Sequence, residues 1–389
     1  RQGTTFTRTH IQFNAFAKPL VTQRASSLGQ HVTETVTYEN NLTRWVLSQV
    51  KTVSCTSSSQ PGCISSPLIR QVSFDPTWAV PLTEQRFGQN VLTRTWNTTA
   101  TVASGQRGTL YSVADGKGNL TTLSNWYRGV PRSIKHPATP EAPAGATQTA
   151  VVNARGEIEE VADELGYATG YSYDPMGRLS GITWPTGDST TWTPTTRSFV
   201  KVNTAEFGIP AGHWRLTEST GNAVKDTYYD ALWRPVLTRE RDASNSATTR
   251  YVKRAFDSEG RETFVSYASA SSTPTTGIWT GYDALGRPTS VSSDSEQGLL
   301  TTTTQYLPGF RTQVTSPLGY QTNTWYQAFD QPTFDAPTSI SEPGGVTTTT
   351  NRDAFGKPLS VTRSGYWNST WQSLTRHFVY NPQQRLCKR

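Results

Sequence analysis

The chain has 389 residues, of which 34% are hydrophobic and 17% are charged, and its formal net charge is +7. The low apolar content argues against one thick core, and the low charge argues against intrinsic disorder, which usually pairs few hydrophobic residues with high net charge. No apolar run reaches about 18 residues, so we predict no membrane-spanning segment.

One segment near the N-terminus shows the alternation of polar and apolar residues that is typical of strands. In the segment 32–38, Val32, Val36 and Tyr38 fall on one face and three Thr residues on the other. Thr and aromatic residues, which favour strands, are common throughout. The nearest candidate for a helix is 158–165, which is short and acidic. We therefore predict an all-β chain.

Two cysteines flank a short loop. Cys55 and Cys63 enclose the turn-forming pair Pro61-Gly62. Either a disulfide closes this loop or both cysteines are unpaired. A disulfide would indicate an oxidising compartment. Cys387 is left over.

The domain organisation follows from the absence of a break in composition. The segment 136–150 is rich in Pro and Ala and is a long loop or a domain boundary; we prefer the loop because similar turns follow it. We predict one continuous β-sheet array over 1–389, with degenerate repeats in 1–150 and clear repeats in 151–389.

The clear repeats share a phrase of seven residues: an aromatic residue, Asp, two variable residues, Gly, Arg, and then Pro or Leu. The structural residues that we assign to it are Tyr173, Asp174, Gly177, Arg178, Tyr229, Asp230, Arg234, Phe256, Asp257, Gly260, Arg261, Tyr282, Asp283, Gly286, Arg287, Asp353 and Gly356. Such periodic self-similarity indicates a repeat architecture.

Weaker copies extend the series. Drifted copies begin at Phe13, Phe74, Tyr326 and Tyr380, and the segments beginning at Asp115 and Asn153 keep only the turn. The Asp-equivalent positions 230, 257, 283, 327, 353 and 381 are mostly 26 to 28 residues apart. The longer step from 283 to 327 predicts an insertion in one loop. The step from 174 to 230 predicts one copy that we do not see.

The phrase has a physical explanation as a β-hairpin turn. An Asp carboxylate accepts hydrogen bonds from backbone N–H groups about two residues on, and a Gly three residues after the Asp accepts a positive φ. A type I turn followed by such a residue is a common hairpin connection. Trp233, Ala17 and Gln384 stand in the Gly position, so we expect another turn type or mild strain there.

The Arg that follows the Gly has two interpretations. A nucleic-acid patch is one, but the basic residues form no block of five or six. Pairing with carboxylates of the repeat, or with aromatic rings of neighbouring hairpins, is the other, and we prefer it. No nucleic-acid partner is expected.

These phrases resemble the RHS/YD-repeat family, strongly from about 150 to 389 and more weakly before. The resemblance implies a strip of β-hairpins wound into a hollow shell. In bacterial polymorphic toxins and in the C component of insecticidal toxin complexes, that shell encloses a C-terminal toxin; teneurins, which are adhesion proteins, carry related repeats. The family's aspartate autoprotease has no counterpart that we can match here.

No catalytic, cofactor-binding or metal site is predicted. The histidines lack metal-ligand spacing; they are His10, His31, His136, His213 and His377. The repeat aspartates are occupied by turn capping, so we do not assign them the paired-carboxylate role of a glycosidase. The aromatic residues of 367–371 could stack on sugars, although cross-strand packing is the simpler explanation.

We therefore expect a structural shell segment from a secreted or surface-delivered bacterial protein, not an enzyme. Its partner would be an encapsulated polypeptide cargo such as a toxin, or other parts of the same long chain. The alternative is a cell-surface adhesin or fibre that binds glycans or a partner protein. Since the phrase at Tyr380 is cut short, we expect a longer polypeptide.

Overall fold

The computed structural model describes residues 1–63, 68–99, 104–187 and 189–389. Across these residues the regular structure is antiparallel strand, with two short 3-10 turns at Ser104–Gln106 and Pro343–Gly345. The all-β prediction is confirmed. Nowhere in the described ranges does a helix have the length and apolar character needed to cross a membrane.

The chain forms two compact units. Unit 1 contains Arg1–Thr121 and Thr304–Arg389, and unit 2 contains Thr122–Thr303. The prediction of one continuous array over 1–389 stays a prediction. Neither boundary falls at the Pro/Ala-rich segment.

The strands of unit 1 come from both ends of the chain. They are β1 (Phe6–Phe13), β2 (Pro19–Ser26), β3 (His31–Asn41), β4 (Val46–Ser58), β5 (Leu68–Phe74), β6 (Pro81–Arg86), β7 (Gln89–Trp96), β8 (Leu110–Asp115), β24 (Arg311–Thr315), β25 (Gln321–Tyr326), β26 (Pro337–Glu342), β27 (Val346–Arg352), β28 (Pro358–Trp367), β29 (Thr370–His377), β30 (Val379–Tyr380) and β31 (Leu386–Lys388).

The remaining strands build unit 2, and the first and last of them contain the unit boundaries. They are β9 (Leu120–Ser124), β10 (Ser133–Lys135), β11 (Thr147–Val152), β12 (Ile158–Ala162), β13 (Ala168–Tyr173), β14 (Leu179–Thr183), β15 (Thr195–Lys201), β16 (Trp214–Thr220), β17 (Ala223–Tyr229), β18 (Pro235–Asp242), β19 (Asn245–Phe256), β20 (Glu262–Ser266), β21 (Gly277–Tyr282), β22 (Pro288–Ser295) and β23 (Gly298–Leu307).

Sequence neighbours are sheet neighbours. In unit 2 each strand from β9 to β23 pairs antiparallel with the next. The same order holds in unit 1 from β1 to β8 and from β24 to β29. Each of these strand pairings is local in sequence, as expected for a repeat architecture.

Three details differ from the expectations. The helix candidate 158–165 is strand β12 followed by a turn at Asp163. The Pro/Ala-rich segment is irregular only as far as 146, since strand β11 begins at Thr147. The step from 283 to 327 holds an additional hairpin turn at Ser316 instead of a long loop.

Candidate functional site: the repeat turns and their brackets

Each clear phrase forms the turn between two paired strands. In the first copy, the Gly177 N–H donates to the Asp174 carbonyl oxygen at 2.9 Å, and the Asp174 N–H donates to the Arg178 carbonyl oxygen at 2.9 Å. The Asp174 Oδ1 accepts from the backbone N–H of Met176 at 2.9 Å and of Arg178 at 3.0 Å. Gly177 has a φ of 76°. The carboxylate thus caps the turn while Gly supplies the left-handed residue.

The strand register shifts at this turn. Tyr173 pairs with Leu179, and the ladder slips between Ser172 and Tyr173. The same slip occurs beside Phe256 and Tyr282. A type I turn followed by a left-handed residue and a one-residue bulge gives this pattern, and it adds twist to the hairpin.

The Arg after the Gly holds its own turn and reaches the next repeat. Arg261 Nε donates to the Asp257 Oδ2 at 2.6 Å, and its Nη1 donates to the Asp283 carbonyl oxygen at 3.1 Å. Its guanidinium also lies over the Tyr282 ring, 5.0 Å from the centroid. One side chain therefore ties two successive turns together.

The aromatic residue of the phrase completes this link. The Tyr282 hydroxyl donates to the Glu262 carbonyl oxygen at 2.8 Å, one residue after Arg261. We call the Arg and the following aromatic residue a bracket. Equivalent brackets join Arg234 to Phe256, at 5.0 Å, and the cation of Lys357 to Tyr380, at 5.2 Å.

These hydrogen bonds lower the pKa values of the carboxylates in the turns. The N–H of Arg178 is the main cause that lowers the pKa of Asp174 below its ordinary value. For Asp257 and Asp283, desolvation acts to raise the pKa, but the hydrogen bonds from the following Arg outweigh it, and each pKa is lowered. The aspartates are therefore ionised structural caps near neutral pH.

Comparison with known proteins agrees with this geometry. The family model for the RHS repeat matches residues 152–193, which contain the turns at Asn153, Asp163 and Asp174. These residues are similar to an RHS repeat.

Solved structures share the fold. The structure of the Photorhabdus luminescens Tc holotoxin pore superposes with a TM-score of 0.54 at 16% identity, covering 95% of this chain and 19% of that one. The crystal structure of TcdB2-TccC3 gives a TM-score of 0.50 at 14% identity, covering 95% and 23%. The chain thus spans about a fifth of the length of these structures. Among curated protein sequences, none matches.

Turns of the repeated phrase that lack Gly keep the same hydrogen bonds. Trp233, Ala17 and Gln384 have φ values of 62°, 56° and 63°. The Trp233 N–H still donates to the Asp230 carbonyl oxygen at 3.1 Å. Of the two expectations for these positions, mild strain is confirmed and another turn type is wrong. Trp233 is further held by stacking on Phe199 and Trp214, at 5.6 and 5.3 Å.

Two further turns of this kind were not predicted from the sequence. Asp163 and Ser316 each accept the N–H three residues on, from Gly166 at 3.0 Å and from Gly319 at 2.9 Å. Both lack the preceding aromatic residue, but Asp-x-x-Gly at 163 was the signal that could have revealed the first. The assignment of Gln327 as a turn position is wrong, because its N–H donates to the carbonyl oxygen of Ala336 and a longer loop follows.

The drifted copy around Gln327 instead contacts the N-terminal hairpins of unit 1. The Ala328 N–H donates to the Gln30 Oε1 at 2.6 Å, and the Ser26 Oγ donates to the Ala328 carbonyl oxygen at 2.7 Å. Asp330, whose side chain is 3% exposed, is ion-paired with Arg8 and Arg24. A copy that has lost its own cap is thus stabilised by a distant segment.

The disulfide lies at this same contact. Cys55 and Cys63 are bonded, so the disulfide alternative holds in the structure. They form a buried cluster with Val32 and Ala354, against which Ile69, Phe329 and Phe355 pack. We call these seven residues the seam cluster, because they join the first and last parts of unit 1.

The histidines and carboxylates form no constellation that resembles a metal site: within the described ranges, no group of three or more His, Cys, Asp or Glu could hold an ion. His213 is buried, with Nδ1 2.9 Å from the Pro210 carbonyl oxygen and Nε2 3.3 Å from the Glu206 carboxylate. Its neighbour Tyr228 is fully buried, and desolvation raises the pKa of its hydroxyl to about 12.

A buried polar pair beside Tyr228 was not predicted. Asp226 is 2% exposed and accepts from Arg239 Nη2 at 2.7 Å and from Thr217 Oγ1 at 2.7 Å. Asp226 lies on the inward face of β17 with Val224 and Tyr228, so a carboxylate two residues from each of them was the signal that could have revealed the pair. A second cation, Arg241, lies 3.6 Å from the same carboxylate, so the charge of Asp226 is compensated.

The aromatic residues of 367–371 lie at the tip of the β28–β29 hairpin. Trp371 packs edge-to-face on Tyr366 across the strands at 5.1 Å, as the cross-strand explanation predicts. Trp367, however, is 72% exposed.

Proposed function

We propose that this chain is a wall segment of an RHS shell that encloses and protects a polypeptide cargo, such as a toxin, in a secreted or delivered bacterial protein. The observation that carries the proposal is the series of brackets, each of which fastens one turn to the next. In a wall of consecutive hairpins, neighbouring hairpins must not separate at any repeat. The contact between the Arg and the following aromatic residue holds them together without a thick core.

The polar character of the chain supports the same role. Few side chains are fully buried among the described residues, and Thr–Thr and Ser–Thr contacts between strands are frequent, as between Thr37 and Thr52 at 2.6 Å and between Thr362 and Thr375 at 2.8 Å. A sheet wetted on much of its surface is suited to separating two compartments. No catalytic role is needed in this proposal.

The experiment is a density map of the full-length polypeptide that contains this segment, determined with and without its C-terminal region. We expect the segment to line a hollow interior in which density disappears when the C-terminal region is removed. A solid interior, or a fibre, would contradict the proposal. Protease digestion of the same two samples reports whether the enclosed region is protected.

A glycan-binding adhesin is the second candidate, and the exposed Trp367 beside the Tyr366–Trp371 pair is what favours it. The measurement is binding of the purified chain to a glycan array, with Trp367→Ala and Trp371→Ala as paired variants. Binding that both variants lose would favour the adhesin over the shell.

A further inference from the structure

The disulfide-closed loop of unit 1 rests on the RHS turn at Asp353. The Pro61 carbonyl oxygen accepts the Ala354 N–H at 2.8 Å. Gly62, with a φ of 104°, approaches so closely that a Cβ there would lie 3.4 Å from both the Asp353 Cβ and the Phe355 ring. The tip of the loop and the turn, nearly three hundred positions apart in sequence, form one interface.

This interface also covers the disulfide. Cys55 is 1% exposed and Cys63 is 3% exposed, and both belong with Ala354 to the seam cluster. A reducing thiolate must reach one of the two sulfur atoms. Since the turn lies over the loop, the thiolate gains access only after the loop separates from the turn.

The turn itself is anchored independently of the loop. The Asp353 Oδ1 accepts the N–H groups of Phe355 at 2.9 Å and of Lys357 at 2.8 Å. The Phe355 ring packs edge-to-face on Phe87 at 5.0 Å, and the Lys357 cation lies 5.6 Å from the same Phe87 ring. The turn therefore keeps its form when the loop moves, and the contact between them is the movable part.

We propose that residues 55–63 are a redox-sensitive clasp: the disulfide holds the loop against the Asp353 turn, and the turn shields the disulfide from reductants. In an oxidising compartment the clasp joins the N-terminal hairpins of unit 1 to its C-terminal repeats. In a reducing compartment it opens. This inference goes beyond the wall role and does not depend on the nature of the cargo.

A dithiol reductant opens the disulfide in two exchange steps. Its thiolate attacks one cysteine sulfur, forms a mixed disulfide and displaces the other cysteine as a thiolate, which takes up a proton. The second thiol of the reductant then forms a ring disulfide and releases the first cysteine. Two electrons and two protons pass to Cys55 and Cys63, and the reductant is oxidised.

The first test measures the rate of reduction by dithiothreitol in the folded chain, through alkylation of the released thiols and mass spectrometry. Phe355→Ala removes a ring that covers the loop, and we expect it to speed reduction by roughly tenfold because it eases local opening. Leu285→Ala is the matched control, since Leu285 has the same position in the Asp283 turn and is 56% exposed. Cys387, which is free and exposed, is the internal standard for alkylation.

Equal reduction rates for Phe355→Ala and Leu285→Ala would overturn the shielding by the turn. The second test uses the unmodified chain, so it does not depend on the folding of a variant. Hydrogen exchange of the Ala354 amide is measured before and after reduction, with the turn at Asp257 as reference. We expect faster exchange at Ala354 alone, and the Cys55→Ser, Cys63→Ser double variant should match the reduced chain. Unchanged exchange at Ala354, or equal acceleration at both turns, would overturn the clasp.

Discussion

The Arg of the repeated phrase has partners on two repeats, and this explains its fixed position at the end of the turn. Arg234 Nε donates to the Asp230 Oδ2 at 2.7 Å, its Nη1 donates to the Asp257 carbonyl oxygen at 3.2 Å, and its guanidinium lies over Phe256. The guanidinium group is planar and carries several donors, so it can make these three contacts at the same time. An ammonium group makes them less well.

Replacing Arg234 with Met tests this bracket. Met keeps the apolar stem but removes both hydrogen bonds and the cation, so we expect the free energy of unfolding to fall by about 1 kcal/mol, a modest value because the pair is partly exposed. Chemical denaturation measures it. Arg155→Met, at an exposed turn position, is the control, and an equal loss in both variants would contradict the bracket.

The turn carboxylates give the chain an acid dependence whose sign follows from their lowered pKa values. Although desolvation opposes it, the bonds from Arg287 keep the folded pKa of Asp283 below the unfolded one. The ionised cap therefore stabilises the fold fully above the unfolded pKa, near 3.9, and this contribution is lost as pH falls through the folded pKa.

Asp283→Asn isolates that contribution. Asn can still accept the two backbone N–H groups, as Asn153 does from Arg155 and Glu157 in its own turn. We expect lower stability than the parent at about pH 7 and a smaller difference at about pH 3, which is below the unfolded pKa, because the parent there loses part of the stabilisation that its ionised carboxylate provides. Urea unfolding at the two pH values measures it, with exposed Glu160→Gln as control. A stability difference between the parent and Asp283→Asn that does not change with pH would show that the carboxylate charge does not stabilise the turn.

At the scale of the element, glycine has two separate uses in these hairpins. Gly286 has a φ of 75°, and the nearest atoms to an added Cβ are 3.9 Å away on Arg261, so only its backbone conformation requires glycine. Gly277, in strand β21, lies against the backbone of β20, where an added Cβ would be 2.6 Å from the Ser266 Cα.

Gly286→Ala should therefore cost about 1 to 2 kcal/mol, the penalty of a left-handed residue with a side chain. Thermal or chemical unfolding measures it. Leu285→Ala on the same turn should change stability little because Leu285 is exposed. If Gly286→Ala were as stable as the parent, the turn would not need its positive φ.

Gly277→Ala tests the close strand contact. We expect a loss of about 2 kcal/mol or more, since backbone atoms cannot move aside without separating the strands. Gly281→Ala is the control on the same strand, because its nearest obstacle is the Ser290 Oγ, which can rotate away. Unfolding by denaturant compares the two, and equal losses would contradict the distinction.

At the scale of the whole molecule, unit 1 depends on segments from both ends of the chain. Its seam cluster takes Val32, Cys55 and Cys63 from the first segment and Ala354 and Phe355 from the last. Neither segment can bury these side chains by itself, so the two must fold together.

Separate expression tests this dependence. We expect residues 1–121 alone to lose cooperative thermal unfolding, because their apolar contacts with 328–355 are missing. Residues 122–303, whose strands pair among themselves, should keep a cooperative transition and serve as the control. Circular dichroism measures both, and a transition in 1–121 as sharp as that of the whole chain would contradict the prediction.

The sequence by itself determined the hairpin series, because a turn capped by Asp and closed by Gly is a local structure: every group it needs lies within five residues. For the same reason it predicted the positions of Asp174, Asp257 and Asp283. The prediction failed where the Asp and Gly of the phrase are not both present: the turn at Ser316 was missed, and a turn was wrongly assigned at Gln327. At such positions only the backbone hydrogen bonds distinguish a tight turn from a loop.

Only the tertiary structure decided what the turns contact. Nothing local in Asp353 or Phe355 indicates that a disulfide loop from residues 55–63 rests on them. The sequence predicted that the Arg of the phrase pairs with carboxylates or with rings of neighbouring hairpins, but only the structure shows that Arg261 lies over Tyr282 of the next repeat. These contacts join residues distant in sequence, and their formation depends on how successive hairpins twist and stack. The repeated phrase determines the conformation of each hairpin turn, whereas the way in which hairpins stack determines which residues that turn contacts.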